Sequence, residues 1–149
     1  MNQTNTPNQI DRIDQTDQID ERDKSDKQMK RSRFEDRDCW KRAKSLAVEV
    51  YTISNKGEFG KDFGLKDQVR KAAVSIASNI AERKERETVA EFIRFLYVAK
   101  GSAGELKTQV LIAQDIGYVD QECSSDLRMK VENVSAMIGA LIKTLKNGE

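Results

Sequence analysis

Ser125-Asp126-Leu127-Arg128-Met129-Lys130-Val131-Glu132-Asn133-Val134-Ser135-Ala136-Met137-Ile138-Gly139-Ala140-Leu141-Ile142-Lys143-Thr144-Leu145 decides the fold class of this chain. Leu127, Val131, Val134, Ile138, Leu141 and Leu145 alternate spacings of four and three, which places them on one seam of an α-helix. Met137 and Ile142 flank the seam, and the remaining positions are mostly polar. Such a helix buries one stripe against other helices and gives the rest to water. The expected helix runs from Ser124 or Ser125 to Leu145, with Asp120 helping to begin it.

Three more helices follow from the same reading. Upstream, Phe92, Phe95, Leu96, Ala99, Ala103, Leu106, Val110 and Ala113 mark one face of a helix from near Thr88 to Ile116, stopped by Gly117-Tyr118. Ile93, Tyr97, Leu111 and Ile112 fall outside that face. A helix apolar over so much of its circumference is expected to be covered on more than one side, and therefore to meet another copy. Gly101 and Gly104 in mid-helix cost on the order of 1 kcal/mol each. That cost is tolerated where a second backbone approaches or the helix bends. Leu65, Val69, Ala72, Ala73, Ile76 and Ile80 predict a helix from about Leu65 to Arg83 or beyond, with Gln68, Ser75, Asn79 and Glu82 in a polar stripe beside it. Cys39, Ala43, Leu46, Val50 and Ile53, widened by Trp40 and Ala47, predict a first helix from about Asp36, its plausible N-cap, to Asn55. Short connections favour antiparallel neighbours. The expected architecture is all-α: an antiparallel up-down four-helix bundle over residues 34–149.

Residues 1–33 read differently. They carry seven acids and seven bases, and Ile10, Ile13, Ile19 and Met29 are their only large aliphatics. That apolar surface is too small to offset ordering at roughly 1–2 kcal/mol per residue. A disordered or transiently helical polar tail is expected.

The chain contains no histidine, which removes Ser-His and Cys-His nucleophile pairs, the commonest general base and the usual metal ligand. Two cysteines cannot by themselves make a structural zinc site or a disulfide framework. No catalytic residue, metal or cofactor is expected. Gly57-Glu58-Phe59-Gly60-Lys61 has the wrong spacing for a phosphate loop and no strand before it, so it reads as a turn. Glu82, Glu85, Glu87 and Glu91 alternate with Arg83, Lys84 and Arg86, which points to an ion-paired junction. The chain lacks an apolar run of roughly 18 residues, so no membrane span is expected and a reducing cytoplasm is the default.

Net charge is only +1, but it is unevenly spread. From Arg37 to Arg86 twelve Lys/Arg face seven Asp/Glu, a net of +5; from Glu87 to Glu149 seven face nine, a net of −2. Lys41, Arg42, Lys44, Lys66, Arg70 and Lys71 lie off the apolar stripes and are the candidate contacts to RNA or DNA phosphates. An ordinary solvated helix face is the competing reading. Ser75, Asn79, Glu82, Ile93, Arg94 and Tyr97 are the candidates for an interface between copies, or for polar ties within the protomer.

The segment Gly64 to Glu82, with its Ser78-Asn79-Ile80-Ala81-Glu82 ending, resembles the signature of the four helix bundle protein family, which includes the 23S ribosomal RNA intervening-sequence proteins. Glu91-Phe92-Ile93-Arg94-Phe95-Leu96, Gly101-Ser102, Glu105-Leu106, Thr108-Gln109 and Gly117-Tyr118 continue the likeness in order, and Trp40 falls at the family's helix 1 tryptophan. It covers roughly Phe34 to Lys146. Arg83 stands where the family usually has glycine, and Ala77 where it usually has proline. The resemblance implies a homopentamer of four-helix protomers with no established enzyme activity. The family is also similar to the accessory variability protein of diversity-generating retroelements, which implies a reverse transcriptase and nucleic acid as further partners. A structural or adaptor oligomer without nucleic-acid contact is the alternative.

Overall fold

Four long α-helices, α1 (Gln9–Ser54), α2 (Phe63–Ala81), α3 (Val89–Ile116) and α4 (Gln121–Asn147), and one 3-10 turn (Phe59–Lys61) make up the computed structural model. It describes residues 9–82 and 88–148. α1 packs on α2 and α4, and α3 packs on the same two helices, while the diagonal pairs scarcely touch. With short connections this is an antiparallel up-down-up-down bundle. No strand occurs among the described residues.

The core is the one the periodicities pick out. All six seam residues of α4 are buried, as are Ile76 and Ile80 of α2, Leu96 and Leu106 of α3, and Cys39, Ala43, Leu46 and Val50 of α1. Each fully buried aliphatic contributes roughly 1.5–3 kcal/mol. Burial pushes the Cys39 thiol up to about 12, helped by the Asp36 and Asp38 carboxylates. It is an apolar filler and not a nucleophile.

Helix boundaries differ from expectation in three places. The first helix starts at Gln9 and not at Asp36, so Asp36 is not its N-cap but an interior residue. Residues 9–54 contain neither glycine nor proline, and pairs such as Asp23–Lys27 at 2.9 Å support the exposed part. The side chains described between Asp20 and Phe34 are exposed, so this part of α1 projects beyond the bundle. α4 starts at Gln121, because the Asp120 carboxylate accepts the Cys123 N–H at 2.7 Å. α2 ends at Ala81; Arg83, where an extension was expected, lies outside the described residues, as do Lys84, Glu85, Arg86 and Glu87.

One end of the bundle is tied through Asp62. Its carboxylate caps α2 by accepting the Leu65 N–H at 3.1 Å and also accepts the Tyr118 hydroxyl at 2.8 Å. The Tyr118 ring stacks on Phe59 with centroids 5.3 Å apart. These contacts join the α1–α2 connection to the α3–α4 connection. Gly117 turns the chain there at φ 95°, donating to Ala113 and Gln114 carbonyls. The two hydrogen bonds hold the Asp62 carboxyl below its ordinary value. A lowered folded-state value means the contribution is complete above the ordinary carboxylate range and is lost as pH falls through the lowered value. Asp62→Asn keeps a capping oxygen but cannot ionise. It is expected to lower stability at neutral pH and to flatten the acid side of the stability curve. Urea midpoints measured stepwise from neutral to acid check this, and parallel curves would count against it.

Candidate self-association and nucleic-acid interfaces

The outer face of α3 is set by its own helical geometry. Residues pointing into the bundle are Phe92, Leu96, Ala99, Ala103, Leu106 and Val110. On the opposite side Tyr97, Val98, Leu111, Ile112 and Ile116 remain 38–54% exposed, alongside Arg94. Gly101 and Gly104 share that side, and a methyl group added to either would meet nothing within 4 Å. Their cost to the helix therefore answers no close approach inside the protomer. Tyr97 is held at the edge of the face: its hydroxyl accepts from Lys146 Nζ at 2.7 Å, and the same ammonium lies 5.1 Å from the ring.

Three of the candidate interface residues turn inward. Ser75 meets the buried Ser102 of α3 at 2.8 Å, and the Asn79 amide donates back to the Ser75 carbonyl at 2.7 Å and to its hydroxyl at 3.1 Å. This is a polar tie between α2 and α3. Ile93 is 7% exposed and belongs to the core, contrary to its expected place outside it, because the buried arc of α3 is wide enough to include both flanks. Glu82 is half-buried at the end of α2, and Arg94 and Tyr97 stay on the outer face.

The candidate phosphate contacts divide as well. Arg70 is drawn inward: its guanidinium donates to Ser54 Oγ at 2.9 Å and to the Tyr51 carbonyl at 3.3 Å, and it lies 4.3 Å from the Tyr51 ring centroid. Lys66 donates to the Gly60 carbonyl at 3.2 Å and lies 5.2 Å from the Phe63 ring. Lys71 pairs with Asp67 at 2.8 Å, which raises its pKa through hydrogen bond and charge. Arg42 pairs loosely with Asp38 at 3.7 Å. Lys44 sits 5.3 Å from the Trp40 ring. Lys41 is exposed. The cations of α1 and α2 are thus interleaved with three aromatic rings, an arrangement that charge counting does not reveal.

A groove of about 600 Å³ opens where the projecting part of α1 leaves the bundle. Arg33, Asp36, Arg37, Trp40 and Lys41 of α1 line it, with Ile80 and Ala81 of α2. Arg33 and Arg37 were not among the expected contacts, since Arg33 fell in the tail and no helix joined it to Lys41. On the far side of α1, Lys130 of α4 bridges Glu49 at 2.9 Å and Asp126 at 3.0 Å, and Lys107 of α3 pairs with Glu132 at 2.7 Å. These ties commit Asp126, Lys130 and Glu132 of α4 to partners within the protomer.

Among the described residues no group of three or more His, Cys, Asp or Glu is placed to hold a metal, and no helix is long and apolar enough to cross a membrane.

The family model for the 23S rRNA-intervening sequence protein matches residues 35–140. No curated protein matches the chain. A crystal structure of a protein of unknown function from the S23 ribosomal protein family of Bacteroides thetaiotaomicron shares the fold with a TM-score of 0.68. It is 20% identical, and the alignment covers 73% of this chain and 98% of that one.

Proposed function

The chain belongs to the 23S rRNA-intervening sequence protein family, and from that premise we propose that it acts by binding, without catalysis, and first by binding copies of itself. The outer face of α3 carries the reading. Five exposed apolar side chains and two glycines with empty space above them form one surface on a helix whose other side is already buried. A surface of that kind normally marks an interaction site. Closed rings are the economical way to bury it in identical copies, and a homopentamer is the assembly the family resemblance implies. RNA or DNA contact through α1 and α2 belongs to the same reading, favoured by the alternation of cations and aromatic rings there. An adaptor that holds a protein such as a reverse transcriptase, with no nucleic-acid contact, is the alternative.

Light scattering tests self-association. The double variant Val98→Asp, Ile112→Asp is expected to reduce the mass to that of one protomer while circular dichroism stays helical. Gly101→Ala with Gly104→Ala separates fold from assembly. Alanine should raise protomer stability by roughly 0.5–1 kcal/mol per site, yet lower the assembled fraction if another backbone lies against the glycines. Unchanged mass in both variants would sink the proposal for this face.

A further inference from the structure

The basic residues of α1 form a row once the helix is continued upstream of the bundle. Lys30, Arg33, Arg37, Lys41 and Lys44 follow at spacings of three, four, four and three, so they share one stripe over about 21 Å of helix. All five are exposed. Among the described residues, none of Arg33, Arg37 and Lys41 has an ion-pair partner. Trp40 lies beside the row and forms a wall of the groove against Ile80 and Ala81. Further along the same flank stand Tyr51 with Arg70, and then Phe63 with Lys66; Tyr51 is 46% and Phe63 75% exposed. Among the described residues, Asp36 is the one acid that lines the groove.

We propose that the α1/α2 flank is a track for single-stranded RNA, with phosphates on Arg33, Arg37 and Lys41 and a base stacked against Trp40. The inference deepens the nucleic-acid part of the function proposed above and rests on it; it does not depend on the α3 face. Cations in a row follow a phosphate backbone, and aromatic rings accept the faces of unstacked bases, worth roughly a tenfold change in affinity or more per base on alanine substitution. A duplex keeps its base faces covered, so it would use the cations and leave the aromatic rings idle. An acidic protein would likewise answer the charge without the rings.

Trp40 is the single tryptophan of the chain, so the full-length protein reports on its own track. Titration with an unstructured RNA oligonucleotide is expected to quench its emission, with fluorescence anisotropy of labelled RNA following the same curve. The same RNA annealed to its complement is expected to bind roughly tenfold more weakly and to leave the emission unchanged. Arg33→Gln, Arg37→Gln and Lys41→Gln together should reduce the slope of log affinity against log salt by about 2. These exposed positions spare the core, so the triple variant tests the track even where Trp40→Ala disturbs folding. Failure to bind either form of RNA, or DNA of the same sequence, at low salt would overturn the nucleic-acid reading itself. Binding without quenching, or preference for the duplex, would overturn the track alone.

Discussion

Leu96→Ala is expected to destabilise the protein by about 2–5 kcal/mol. Leu96 is fully buried in α3, the helix that packs on both α2 and α4. Truncation removes the transfer free energy of the lost methyl groups and leaves a cavity that rigid neighbours fill only in part. Two helix contacts border the site, so collapse around it would have to move both. Urea unfolding of wild type and variant at equal protein concentration reads the difference; concentration must be matched because assembly also stabilises the folded state. A loss below about 1 kcal/mol would mean that the site can collapse, and that α3 is not clamped between its neighbours.

Gly60→Ala comes next in size, with an expected loss of about 1–3 kcal/mol. A Cβ at Gly60 would stand 2.7 Å from the Asn55 carbonyl oxygen and 3.0 Å from its carbon. Both are backbone atoms at the end of α1, so the clash cannot be relieved by turning a side chain. The turn would have to open, straining the Gly60 N–H bond to the Lys56 carbonyl at 3.3 Å and the Lys66 bond to the Gly60 carbonyl. Gly64→Ala is the control. Its added methyl would meet only Asp62 Oδ1 at 3.6 Å, an ordinary contact, and it sits in the first turn of α2. That variant should be neutral or slightly stabilising. Equal losses in the two variants would point to a general intolerance of this connection and against the specific clash.

The bundle was legible because burial leaves a period in the sequence. Leu127 to Leu145 announce a helix and its inner side without knowledge of any partner, and every residue of that seam is buried. The start of α1 is not legible for the converse reason. Residues upstream of Phe34 carry little apolar surface, so the core criterion is silent there, while the lack of any glycine or proline from Gln9 to Ser54 lets the helix run on. At the interfaces, residue types were legible but pairings were not. Arg70 looks like any exposed helical cation until α1 and α2 dock and bring Tyr51 and Ser54 beneath it. Ser75 likewise needed Ser102 from the neighbouring α3. The row from Lys30 to Lys44 was hidden by the misplaced helix start, since it takes one continuous helix to align it.

The buried Cys39 thiol has a consequence for how the protein titrates. Among the described residues, the groups that their surroundings displace all move away from neutrality: Cys39, Cys123, Tyr118, Lys71 and Lys130 upward, Asp62 and Glu132 downward. The chain also has no histidine, the side chain whose ordinary value would place its charge change between about pH 5 and 8. The α1/α2 flank therefore holds no imidazole charge for mild acid to switch on. Salt, which screens exposed charges, is the electrostatic dial that this surface does offer on whatever the flank holds.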